Sequence, residues 1–229
     1  NANTATITTN FGMINKKENA TNSDSVDLTN IKGYILNNGT FEHKSRVFTN
    51  NGLVTNNNIL TNNDSITLGS TGSIINNHTF TNDSIIINGG TLTNYSGKTI
   101  TNNRTITNNN IINNAGIMNI THTTGILNNN LNYTNKSTAT TNNNGIINLN
   151  TGGTLTNKGT LNNIKTSNSI FGTFNIIGTL TNTDSGTIVN TSTIDNKANG
   201  TISNLGIVNN TGSVNILASS AFTNSKNFN

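Results

Sequence analysis

Single apolar residues recur between pairs of polar ones along most of this chain, and Asn or Gly breaks the alternation at short intervals. From Thr91 it reads Thr-Leu-Thr-Asn-Tyr-Ser-Gly, Lys-Thr-Ile-Thr-Asn-Asn-Arg and Thr-Ile-Thr-Asn-Asn-Asn. From Thr187 come Thr-Ile-Val-Asn-Thr-Ser, Thr-Ile-Asp-Asn-Lys-Ala-Asn-Gly and Thr-Ile-Ser-Asn-Leu-Gly. The module is roughly Thr-Ile-x-Asn-x-Gly, six residues long with extensions to about eight or nine. Side chains alternate in a strand, so the apolar residue points opposite to its flanking Thr. Ile100, Ile106, Leu155, Leu180 and Ile188 are expected inward, and Thr99, Thr101, Thr154 and Thr156 outward. The Asn that follows returns inward or sits at the corner, where its amide can stack on the Asn of the next coil. Asn-Gly or Asn-Asn then turns the chain, as at Asn38-Gly39, Asn51-Gly52, Asn144-Gly145 and Asn199-Gly200.

One module cannot bury its own apolar residue. Three can close a triangular coil of roughly 18–20 residues, and stacked coils bury a thin continuous core. The pattern predicts an all-β fold, a single β-solenoid (β-helix) with Asn ladders over residues 1–229. About twelve coils at ~4.8 Å make a rod of around 55–60 Å. No useful stretch has the 3.6-residue amphipathic period of a helix. Residues 1–47 are less regular and more charged, and read as solenoid with loop insertions or a terminal junction element. Residues 48–217 carry the regular modules, and 218–229 read as a polar tail.

Composition supports a thin core. Only 31% of the 229 residues are hydrophobic and 9% charged, and about a quarter are Asn. Low charge argues against the usual disordered composition. Proline is absent, as expected where nearly every strand donates hydrogen bonds to neighbours. Cysteine is absent too, which excludes disulfides and thiol chemistry. The net charge of +4 is scattered; the one cluster, Glu42-His43-Lys44-Ser45-Arg46, contains its own acid and reads as a solvated loop. No basic stripe with aromatics suggests nucleic acid, and no run reaches the ~20 apolar residues of a membrane span. The start, Asn1-Ala2-Asn3-Thr4, reads as a mature N-terminus after signal removal or as a trimmed chain.

Runs such as Gly153-Thr154-Leu155-Thr156-Asn157-Lys158-Gly159-Thr160-Leu161-Asn162-Asn163 resemble the repeats of extracellular adhesin-like and haemagglutinin-like β-solenoid proteins. The resemblance spans about residues 48–217. It implies a secreted or cell-surface location and a role in surface fibres, stalks or matrix. An anchor or translocation domain is not visible in this sequence.

The search for chemistry returns little. A glycosidase needs two carboxylates flanking a bond, and only eight acids are present, so no enzyme activity is expected. Asp64 and Asp83 end modules about one coil apart; they either stack to hold Ca²⁺ or cap exposed corners. His43, His78 and His122 lack metal-ligand spacing. No catalytic residue, cofactor or metal site is assigned. The thirteen Asn-x-Ser/Thr sequons, among them Asn38, Asn77, Asn94, Asn103, Asn119, Asn190 and Asn209, are about what composition alone yields; they permit glycosylation only at outward corners. Outward Thr pairs stand at Thr79/Thr81, Thr99/Thr101, Thr105/Thr107, Thr154/Thr156 and Thr179/Thr181. Regular Thr arrays order water in ice-binding proteins, but varying module lengths predict that these pairs fall on different faces.

The expected role is a structural subunit of a secreted, self-assembling extracellular filament, its partners being copies of itself. Exposed strand edges at a solenoid's ends favour head-to-tail stacking. The expected junction includes Val214, Ile216 and Leu217 at one end and Thr4, Thr6, Ile7 and Thr8 at the other, where a strand can be exchanged. The alternative is a stalk or binding segment of a larger surface adhesin, touching a cell surface or polysaccharide; ice binding is a third reading.

Overall fold

The β-branched and apolar residues of each module favour a short strand, and the Asn that ends it tolerates the turn that follows. The computed structural model realises this as strands of mostly four residues, such as Thr105–Asn108, with alternate residues buried. It describes residues 33–44, 47–122, 124–167 and 171–229, and the backbone alone of Ile7–Thr8, Met13–Lys16, Ala20–Asn22, Val26–Leu28 and Ile170.

The chain visits three parallel sheets in turn, each of eleven strands. The first runs from Ile7–Thr8 through Val47–Asn50 and Thr105–Asn108 to Ser213–Ile216. The second runs from Met13–Lys16 through Tyr34–Asn37 and Thr91–Asn94 to Ala221–Asn224. The third runs from Ala20–Asn22 through Thr40–His43 and Thr79–Asn82 to Asn227–Phe228. The molecule is a parallel β-solenoid, with no helix among the described residues. At ~4.8 Å per coil it stands about 50 Å tall. The eleven strands of each sheet fall slightly below the twelve coils expected, because coils range from 18 to 27 residues rather than 18–20.

The core has two kinds of column. At the second strand position stand apolar residues such as Ile86, Ile106 and Leu127, in register and fully buried. The inward residues Ile100, Leu155, Leu180 and Ile188 are buried likewise. At the fourth position stand buried Asn residues. In the second sheet they form an unbroken ladder from Asn37 through Asn56, Asn76, Asn94, Asn114, Asn135, Asn157, Asn182 and Asn204 to Asn224, with rungs of 2.6–2.9 Å. The ladders of the other sheets are interrupted by Leu68, Leu149 and Ile176 in the first and Ile120 in the third.

Each rung also ties down a corner. Asn76 Nδ2 donates to Asn94 Oδ1 at 2.9 Å, to the His78 carbonyl at 3.1 Å and to the Thr99 carbonyl at 3.0 Å, while its Oδ1 accepts from Asn56. A buried amide is therefore matched to carbonyls in its own turn and in the next coil, as a buried polar group requires.

Two expectations need correction, and one feature was not foreseen. Glu42 and His43 are not in a loop: Thr40–His43 is a strand of the third sheet, and His43 is buried at a ladder position beside Phe48, ring centroids 6.0 Å apart. Glu42 faces outward and pairs with Lys44 at 3.0 Å, while Ser45 and Arg46 lie outside the described residues. Residues 218–229 are not merely a polar tail: Ala221–Asn224 and Asn227–Phe228 continue the second and third sheets. Their Ala-Phe-Thr-Asn run satisfies the same alternation. Finally, Lys165–Ser167 and Ile170–Phe171 form an antiparallel hairpin that leaves the rod between two of its strands, a feature the repeat pattern hides.

Candidate assembly interface

The coil that ends the rod repeats the inward pattern of the coils below it. Val214, Phe222 and Phe228 are the register partners of Ile194, Ile202 and Val208, which are 3% exposed. Among the described residues nothing covers the upper three in the same way: Val214 and Phe222 are only partly buried, Phe228 is 40% exposed, and Ile216, at a ladder position, is 46%. With Asn210 these residues line a recess of ≈ 240 Å³. Phe222 and Phe228 pack edge to face, centroids 5.5 Å apart. The end strand Ser213–Ile216 pairs on one side with Thr193–Asn196.

Polar groups on this face are also incomplete relative to the interior. Asn182 Nδ2 reaches Asn204 Oδ1 at 2.7 Å and the Ile207 carbonyl at 3.1 Å, both in the following coil. Asn224 accepts from Asn204 at 2.6 Å but donates only within its own turn, to the Lys226 carbonyl at 3.0 Å. The face therefore combines uncovered apolar side chains, strand edges and an amide donor directed along the rod.

The structure brings together Val214 and Ile216 of the expected junction, with Leu217 exposed at the adjoining corner. Ile7 and Thr8 pair with Val26 and Asp27 and form the opposite edge of the first sheet; Thr4 and Thr6 lie outside the described residues. Phe222 and Phe228 escape the sequence reading because their segment reads as tail. The signal was the x-apolar-x-Asn spacing of Ala221–Asn224.

The other candidate residues are dispersed. Asp83 accepts a hydrogen bond from Asn103 at 2.6 Å and serves its corner, while the carbonyl of Asp64 accepts from the Ile85 amide. No group of three or more His, Asp or Glu that could hold a metal occurs among the described residues. Among the sequons, Asn94 and Asn190 are inner ladder rungs, fully buried and unable to carry a glycan in the folded rod. Asn38, Asn77, Asn103, Asn119 and Asn209 lie on the outside. The Thr pairs divide among the sheets: Thr105/Thr107 on the first, Thr154/Thr156 and Thr179/Thr181 on the second, Thr79/Thr81 and Thr99/Thr101 on the third. Asp184, fully exposed, is held below the usual carboxylate range by its 2.6 Å bond to the Lys226 ammonium and the charge of that group.

No protein-family model matches the chain, and neither curated proteins nor solved structures give a match. The class the structure defines is an Asn-laddered parallel β-solenoid repeat protein.

Proposed function

We propose that this protein is a structural subunit of a secreted extracellular filament, assembled by head-to-tail stacking of rods and without catalytic activity. The observation that carries the reading is the end coil, whose inward apolar set is only partly covered although the same positions are buried below it. A second copy would cover Val214, Ile216, Phe222 and Phe228 and continue the sheets. Strand exchange by residues 4–9 would strengthen the joint. The extracellular setting, and kinship with adhesin-like solenoids, rest on the likeness of the repeats.

Negative-stain microscopy of the purified 229-residue chain tests the proposal. Linear strings of rods are the expected result. Single monodisperse rods at high concentration would overturn it. A native product heavier than 24.2 kDa, with further coils on the end face, would make the rod a stalk segment of a larger surface adhesin instead.

A further inference from the structure

Cations that are scattered along the sequence are gathered by the register on the corner between the second and third sheets. The residue after each second-sheet ladder Asn stacks on its counterpart one coil away, because its amide donates to the carbonyl of the ladder Asn in the preceding coil. Tyr95 donates in this way to Asn76, Ala115 to Asn94, Lys136 to Asn114 and Lys158 to Asn135, at 2.8–3.0 Å. These residues form one outer column over successive coils, and Lys98 closes the turn that Tyr95 opens. Lys136 and Lys158 are one coil apart, ~5 Å along the rod, and Lys98 and Lys136 two coils, ~10 Å. Lys136 and Lys158 are exposed, Lys98 is half-buried, and Tyr95 is 49% exposed.

The backbone of this row is pinned, while its side chains are left to solvent. The Lys98 amide donates to the Tyr95 carbonyl at 3.1 Å and the Ala139 amide to the Lys136 carbonyl at 2.9 Å, which closes both turns. Inner rungs hold the same turns from within: Asn94 Nδ2 donates to the Lys98 carbonyl at 3.0 Å, and Asn157 Nδ2 to the Gly159 carbonyl at 3.1 Å. Among the described residues no ion pair engages the ammonium of Lys98, Lys136 or Lys158. The acid on this corner, Asp184, lies one coil beyond Lys158 and is already bonded to Lys226 at 2.6 Å. The other corners differ. Between the third and first sheets Lys44, Arg104 and Lys165 share the corner with Asp64 and Asp83. Between the first and second, Lys197 is the one charged residue among those described.

A row of unpaired cations along a rigid rod is complementary to an anionic chain, and the spacing of its charges selects the kind of chain. Duplex DNA carries one charge per about 1.7 Å of axis, several times denser than this row. A linear polyuronate carries one carboxylate on each sugar ring, and a ring is about as long as one coil is high. Tyr95 supplies the other surface such a chain needs, an exposed aromatic ring for the apolar C–H face of a sugar. Between Tyr95 and Lys136 the column holds only the methyl of Ala115. We infer that the row formed by Tyr95, Lys98, Lys136 and Lys158 binds one chain of a linear acidic polysaccharide, laid along the rod axis. These residues lie three or more coils from the end coil, so the site is independent of end-to-end assembly.

The test titrates the full chain with a linear oligogalacturonate of six sugars, and separately with maltohexaose and a short DNA duplex, by isothermal calorimetry. The uronate is expected to bind saturably and to weaken as salt rises from about 50 to 200 mM, with the duplex weaker and the neutral sugar silent. Lys98→Gln, Lys136→Gln and Lys158→Gln together should weaken uronate binding tenfold or more. Arg104→Gln, Lys165→Gln and Lys197→Gln together remove the same charge from the other corners and should leave it within twofold. Tyr95→Ala should weaken binding without changing its salt dependence, because the ring supplies contact rather than charge. The row residues stand on turns, so β-sheet circular dichroism should be unchanged in their variants. No binding of the uronate, equal losses in the two triple variants, tighter binding of the duplex, equal binding of maltohexaose, or a Tyr95→Ala variant as tight as wild type would each overturn the inference.

Discussion

At the residue scale, the inner Asn is held by the backbone as well as by its ladder neighbours, which explains how the ladders survive interruption. Asn102 lies below Ile120 and lacks an Asn rung above, yet its Nδ2 donates to the Arg104 carbonyl at 3.0 Å and the Ile126 carbonyl at 2.9 Å. Asn76→Leu should accordingly be tolerated, costing about 1–3 kcal/mol for the polar groups left without it. Asn76→Asp keeps the shape but buries a carboxylate that cannot donate to Asn94; at neutral pH it should cost about 3–5 kcal/mol. Burial raises that carboxyl's folded pKa, so the variant should be most stable in acid and lose stability as pH rises above about 4. Thermal unfolding of both variants at pH 3 and 7 checks the order. Tyr133 is the second informative residue. Its hydroxyl is buried against Thr141, which donates to Asn135 Oδ1 at 3.0 Å, and burial holds the phenol well above its ordinary pKa. The folded pKa exceeds the unfolded one, so the neutral phenol contributes stability below pH ~10 that is lost as the unfolded chain ionises above it. Alkaline denaturation should be steeper in the wild type than in Tyr133→Phe. Equal slopes between pH 10 and 12 would contradict this placement of the phenol.

At the scale of the strand and its corner, the repeat was legible because one alternation and one Asn recur, and physics assigns each a direction. Ile106 sits fully buried between Ile86 and Leu127, as the alternation requires. An Asp there should cost several kcal/mol, whereas at half-exposed Thr107 it should cost well under ~1 kcal/mol. Thr105→Pro should be harmful although Thr105 is not buried, because its amide donates to the Ser84 carbonyl at 3.0 Å. Denaturant midpoints of the three variants separate these effects; an Ile106→Asp variant as stable as wild type would refute the register. Corners were less legible, since their constraints come from the neighbouring coil. A Cβ on Gly90 would lie 2.0 Å from the Gly72 carbonyl oxygen, whereas one on Gly97, at φ 72°, would meet nothing within 4 Å. Gly97→Ala should cost about 1–2 kcal/mol for its left-handed backbone. Gly90→Ala should cost more, because backbone must move, and calorimetry of the pair gives the order. The same dependence on the neighbouring coil hid three features from the sequence. His43 reads as part of a charged loop until the register sets it opposite Asn62. Phe222 and Phe228 read as tail until pairing with the penultimate strands turns them inward. Thr121, His122, Asn144 and Thr166 meet around one surface notch although no local motif links them.

At the scale of the whole rod, its hydrogen bonds give it a polarity that bears on the proposed assembly. Every inner rung of the second-sheet ladder donates from one coil to the Oδ1 of the next, as from Asn157 to Asn182 and from Asn182 to Asn204. Outer amide columns run the other way, as from Asn77 to Asn57 and from Asn150 to Asn130. The end coil with Asn224 therefore turns an inner donor toward an incoming partner. A two-fold contact between two such ends would set amide donor against amide donor in a dehydrated interface, leaving both without acceptors. A head-to-tail contact instead offers backbone carbonyls at the start of the partner's strands, the acceptors that interior rungs already use. Closed dimers are thus disfavoured relative to an open, non-closing series. Light scattering coupled to size exclusion should find a distribution that lengthens continuously with concentration, rather than a plateau at twice the chain mass. Phe222→Asp places a charge on the uncovered apolar face, and should hold the protein at 24.2 kDa with little change in thermal unfolding, because that side chain is only partly buried in the isolated rod. A plateau at the dimer would refute the polarity argument while leaving self-association standing. Unchanged lengthening in the Phe222→Asp variant would place the contact elsewhere on the rod.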